Sequence, residues 1–141
     1  MNINSIESSL YKLLYDTFEA TDGIRIFENV YYVDFKNHDQ WIVIDSQTNT
    51  AGAIPKATFN LHISIKNGLM NEKVVLNKLL DKVLKVMTPG YRFDVLDGDT
   101  ADLIGEAEIT ETSLLPVMQH QGGGSFRSLT IGVVYAGEIP A

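Results

Sequence analysis

Cysteine is absent from the chain, which excludes a disulfide framework, a thiolate nucleophile and a cysteine-based zinc site. Long apolar runs are missing too: no stretch approaches the roughly 18 residues that a membrane-spanning helix requires. Met1-Asn2-Ile3-Asn4 lacks the basic region and apolar segment of a signal peptide, so the chain is expected to be made soluble and unexported, with no membrane partner. Positive charge is in short supply, with 11 Lys and Arg against 18 Asp and Glu and a formal net charge of -7. That balance works against attachment to a phosphate backbone, which needs clustered cations that release counterions. With 141 residues, 45% of them hydrophobic, the chain suffices for one core and is too short for two ordinary ones. A single domain over 1–141 is expected.

What the sequence does contain is strict alternation. From Ala57 to Lys66, Phe59, Leu61, Ile63 and Ile65 share one face and Asn60, His62, Ser64 and Lys66 the other. This is the pattern of an antiparallel strand packed on one side and wet on the other. Ile6, Leu10, Leu13, Leu14 and Phe18 recur at helical spacing, with Glu7, Ser8, Lys12 and Asp16 turned away. Asn4 and Glu7 fit a capping box, and Thr21-Asp22-Gly23 supplies a stop. A second helix is expected from Glu72 to Met87, capped by Asn71, with Leu76, Leu79, Leu80, Val83 and Met87 inward.

Further strands are expected within Ile24 to Phe35, at Trp41 to Asp45, at Tyr91 to Leu96, at Gly105 to Thr112 with Leu114 to Met118 continuing past a bulge, and at Ser128 to Ala136. Asn37-His38-Asp39 reads as a hairpin turn. Ser46 to Lys56, polar and bearing Gly52 and Pro55, reads as a loop, and Gln119 to Ser125 as a mobile glycine-rich one. The fold class is therefore α+β: a mostly antiparallel sheet of about five to seven strands flanked by two amphipathic helices, in the order α-β-β-β-α-β-β-β.

Chemistry-bearing clusters are few. Asp97, Asp99 and Asp102, with Glu106 and Glu108 beyond, are the dense carboxylate group. Counted as a calcium loop from Asp97, Glu108 falls at the twelfth place, but Asp102 occupies the sixth, where the sharp turn demands glycine. A solvated acidic turn fits better than a metal. His38, His62 and His120 fall in a turn, a strand and a loop, none at ligand spacing with another. For His62, partnership with Ser64 or Asp34 is conceivable, yet no activated nucleophile or third member is identifiable, so a solvent-facing or interface histidine is expected. Gly122 to Gly124 lack the Lys-Ser/Thr of a phosphate loop, and Trp41 reads as a core aromatic. No catalytic residue, metal or cofactor is expected.

The element order, with the phrases Trp41-Ile42-Val43-Ile44, Pro55 to Ile65 and Ser128 to Tyr135, resembles the tail terminator or tail completion (neck) proteins of tailed bacteriophages over nearly the whole chain. The resemblance implies a structural virion protein rather than an enzyme. Its subunits would form a homohexameric ring that caps the tail tube protein, halts tail polymerisation and meets a head-closure or connector protein. Assembly would occur in the host cytoplasm, and genomic DNA would pass without specific binding. Contacts to neighbouring subunits or the tube would come from the long loops, through Asn49, Thr50, Gly52, Ile54, Pro55, Gln121, Gly123 and Phe126, and from His62 and Lys66 on the polar strand face. Asp97, Asp99 and Asp102 would line an acidic lumen. Open sheet edges would offer a physical route to the ring. Two alternatives stay open: another neck component, such as a head-closure or adaptor protein, and a small ligand-binding domain with polar groups converging on His62 or Trp41.

Overall fold

Ile6, Leu10, Leu14 and Phe18 are all buried, although a four-residue step drifts by about 40° around an α-helix. The drift is taken up by the backbone. The first helix, α1 (Ile3–Leu14), runs into a π-helical turn at Tyr15–Glu19 and a last helical turn at Ala20–Asp22. The wider π turn brings Phe18 back onto the stripe. Gly23, at φ +72°, ends the helix as expected, its amide donating to Glu19 O at 3.0 Å. The start lies earlier than the capping box implied, with Asn4 inside the first turn. These observations come from a computed structural model that describes residues 3–28, 38–50, 56–66, 68, 71–119 and 124–137.

Among the described residues seven strands follow: β1 (Arg25–Phe27), β2 (Gln40–Thr50), β3 (Lys56–Ile65), then β4 (Arg92–Leu96), β5 (Leu103–Leu114), β6 (Met118–Gln119) and β7 (Ser125–Gly137) after the second helix, α2 (Glu72–Val86). They form one sheet in the order β1-β2-β3-β7-β5-β4, with β6 hydrogen-bonded to the start of β7. The expected stripe of α2 is buried at Leu76, Leu79, Leu80, Val83 and Met87. Asn71 precedes α2 in a left-handed conformation, and its side chain makes no cap hydrogen bond.

The expectation of a mostly antiparallel sheet flanked by two helices needs correction. The sheet is mixed, because β1 pairs with β2 in parallel, and it curls into a half-barrel. Both helices feed a single core against one face: Leu10, Leu14, Leu79 and Val83 share a cluster with Ile42, Leu61, Ile63, Val95, Ile109 and Ile131. Among the described residues four strands, not three, follow α2. Alternation shows which residues share a face; it is silent on strand direction and order. The curl follows from strand twist and from irregularities at Ser46/Thr48, Val95/Leu96 and Ile109/Glu111.

Two segments read as loops contain paired strand. Ser46 to Thr50 continues β2 along Phe59 to Lys56, and the two ends of the expected glycine-rich loop, Gln119 in β6 and Ser125 in β7, pair with each other. The expected strand at Tyr31 to Phe35 lies outside the described residues, and the Asn37-His38-Asp39 turn is described only from His38.

The two edge strands are closed by the same helical unit. At β4, Leu96 N donates to Ser9 Oγ at 2.8 Å, and just beyond it Gly98 N donates to Ser5 Oγ at 3.2 Å. At β1, Ile26 N donates to Glu19 Oε1 at 2.9 Å, while Arg25 pairs with the same carboxylate at 3.1 Å. The N-terminal helical segment thus reaches both outer strands and occupies one donor on each that a further strand would need.

The opposite face of the sheet carries its own small cluster. Trp41 is buried there with Phe27 and Val43, apart from the main core. Gly124, at φ +103°, lies against it: a Cβ at that position would come within 2.9 Å of both Ile65 O and Trp41 Cη2. Only glycine satisfies both the backbone conformation and the close approach.

Candidate interaction surface

Strand register brings three polar side chains together on the outer face, opposite the helices. His62 lies directly across from Val43 on β2 and Ser128 on β7. Its Nδ1 is 2.7 Å from Ser128 Oγ and its Nε2 is 3.6 Å from Asp45 Oδ2. A carboxylate can only accept, which favours the proton on Nε2 and leaves Nδ1 to accept from the Ser128 hydroxyl. The Phe126 ring stands edge-on to the imidazole at 5.1 Å. One step along, Thr130 Oγ1 donates to Asn60 Oδ1 at 2.7 Å. These bonds tie β3 to β7 through side chains as well as backbone.

The expected wet face is therefore largely covered at this point. The His62 side chain is 15% exposed and Ser128 only 3%. Burial pushes the imidazole below its ordinary pKa, and the Asp45 carboxylate partly offsets this. Asp, His and Ser meet here, but the serine is buried and is approached by Nδ1 on flat strand backbone rather than on a sharp turn with donors for an oxyanion. The trio fits a cross-strand latch better than an acyl-transfer centre.

A second feature lies at the end of the sheet where β7 begins. Ile65, Leu76 and Val117 line a cleft of about 310 Å³ between α2 and the β5–β6 connection, with Lys73 and Arg127 also on its walls. The wall is held by Gln119 Nε2 donating to Ser125 Oγ at 2.9 Å, and by Arg127 Nε donating to Leu115 O at 2.9 Å. Beside it the chain exposes Leu115 at 41%, Val117 at 54% and Met118 at 53%. Three large apolar side chains in so short a segment form the kind of patch that marks a contact surface.

The acidic turn lies at the other end of β5. Asp97 Oδ1 accepts from the amides of Asp99 and Thr100 at 2.8 and 3.0 Å, and these bonds hold its carboxyl below the usual range. That carboxylate is engaged in building the turn, while Asp99 and Asp102 are exposed. Leu103, which follows, is 63% exposed.

Of the residues singled out from sequence, His62 and Phe126 are brought into contact, and Asp97, Asp99 and Asp102 share one turn at the far end of the sheet. Lys66 sits just past β3, its amide donating to Asp39 O at 2.9 Å. Asn49 and Thr50 have their backbones on β2, opposite Ala57 and Lys56. Gly52, Ile54, Pro55, Gln121 and Gly123 lie outside the described residues. Asp45, Ser128, Lys73, Leu103, Val117 and Arg127 were missed. Their significance depends on register and on which end of the sheet each occupies, which composition and periodicity do not encode; the apolar residues around Pro116 were the available signal.

No protein-family model and no curated protein matches the chain. Among solved structures, one that carries no descriptive name aligns with a TM-score of 0.66 at 11% identity, over 100% of this chain and 99% of its own. At that identity the likeness is one of fold. Among the described residues, no helix is long and apolar enough to cross a membrane.

Proposed function

We propose that the chain is a structural subunit of a tailed-bacteriophage neck, a tail terminator that assembles into a ring on the end of the tail tube. The observation that carries this reading is the exposed apolar segment Leu115, Val117 and Met118 beside the cleft at one end of the sheet. A monomer gains nothing from holding these side chains in water, whereas a subunit that docks end-on buries them. The N-terminal helical segment holds one donor on each edge strand, Leu96 N and Ile26 N, and in this reading the contacts fall to the sheet ends and outer face. In this reading the ring blocks addition of further tube subunits, offers its other side to a head-closure or connector protein, and lets DNA pass a negatively charged protein without sticking. It acts in the virion by occupying a site, without turnover of a substrate.

The test is to mix purified protein with tail tubes and examine them by negative-stain electron microscopy and co-sedimentation. Rings at one end of tubes that then stop elongating are expected. Failure to bind tubes, with elongation unimpeded, overturns the proposal; binding to connector particles alone reassigns the chain to the head side of the neck.

A further inference from the structure

We infer that copies of this chain join head to tail, the Leu103 side chain of one copy entering the cleft of the next between α2 and the β5–β6 connection. This rests on the ring reading and names its subunit joint. Among the described residues, Leu103 is the most exposed of the large apolar side chains, at 63%, and it directly follows Asp102 in a turn that also exposes Asp99. The cleft offers the complement: apolar walls from Ile65, Leu76 and Val117, and two cations, Lys73 and Arg127, against one carboxylate, Glu72, whose Oε1 accepts from Ser125 Oγ at 3.3 Å. An apolar knob beside negative charge meets an apolar hole whose lining keeps an excess of positive charge.

The two features cannot meet within one copy. Register places Gly105, just after the knob, opposite Gly137 at the end of β7, whereas Ser125 and Arg127 of the cleft wall stand at its beginning. Knob and hole therefore sit at opposite ends of the same sheet. Such a pair makes a heterologous contact, which closes into a ring when the rotation between copies permits and otherwise propagates as a filament. The assignment moves Asp99 and Asp102 from the lumen to the joint between subunits, where the cations of the neighbouring cleft desolvate and neutralise them.

The absence of cysteine makes the test clean. Leu103→Cys and Val117→Cys proteins are mixed under mild oxidation, alone and on tail tubes; a mixed 103–117 dimer is expected to dominate over either homodimer. The double variant is expected to give a ladder of multiples ending in one closed species. Separately, Leu103→Asp should weaken self-association at least tenfold with the circular dichroism spectrum and Tm unchanged, since the residue is exposed. Lys73→Glu should likewise weaken self-association, and mixing with an Asp99→Lys, Asp102→Lys partner should restore assembly. If rings form on tubes but no 103–117 crosslink appears, or 103–103 dimers dominate, the joint is overturned and the ring reading stands. If the protein neither binds tubes nor self-associates, and no crosslink forms, both fail.

Discussion

At the scale of single residues, His62 shows how a pattern can place a side chain and still mislead about its surroundings. Alternation puts it on the polar face of β3, as found, but on that criterion it should be solvated; Ser128, Asp45 and Phe126 enclose it instead. They come from strands 66, 17 and 64 residues away in sequence, and no local signal links them. The enclosure has a pH consequence. The folded imidazole titrates below its ordinary value near 6.5 because burial disfavours its charged form. Between that ordinary value and the lower folded one, the unfolded chain binds more protons, so stability falls as pH is lowered through this window and levels off beneath it. Above the window the contribution is fully present. Urea unfolding at a series of pH values should show this slope in the natural chain and a shallower one in His62→Gln, in which the group that titrates there is gone. Equal slopes would mean that other groups set the acid dependence.

At the scale of elements, the helices and most strands were legible because their apolar residues keep a period. The stripes of α1 and α2 and the inward sets of β3 and β7 are buried as read, except for Leu13, which is only partly buried against the core. Ser46 to Thr50 was illegible for the opposite reason: it is polar at every position, and its strand character comes from pairing with β3. The sealing of the sheet edges was equally hidden. Ser5 and Ser9 look like unremarkable polar residues beside the stripe of α1, yet both are buried against the β4 end of the sheet. Ser9→Ala removes the acceptor for Leu96 N and should cost about 1–3 kcal/mol, the range for a buried donor left unsatisfied, toward its lower end because the bond is part-buried. Chemical denaturation should show a lower midpoint with an unchanged slope, and Ser9→Thr, which keeps the hydroxyl, should recover most of the loss. An edge with a freed donor also invites pairing, so Ser9→Ala should raise light scattering at high protein concentration relative to Ser9→Thr. If the two variants behave alike, the hydroxyl is not what closes β4.

At the scale of the whole molecule, the N-terminal helix makes distant parts of the sheet depend on each other. β1 and β4 are the outermost strands, yet Ile26 N and Leu96 N are both held by side chains of one continuous helical segment, Glu19 at one end and Ser9 toward the other. If that segment leaves the sheet as a unit, the two amides lose protection together; if it frays turn by turn, they do not. The packing favours the first outcome, because Ile6, Leu10, Leu14 and Phe18 all enter the same core and no break in the helical backbone separates the Ser9 end from the Glu19 end. Leu10→Ala weakens this anchor between the two contacts, by about 2–5 kcal/mol for a buried leucine. Native-state hydrogen exchange should then show the Leu96, Gly98 and Ile26 amides accelerated by similar factors, while the amides of Leu61 and Ile131 at the sheet centre exchange through a higher-energy opening. Acceleration confined to Leu96 and Gly98 would mean that the two edges are closed independently and that the π turn, rather than α1, secures β1.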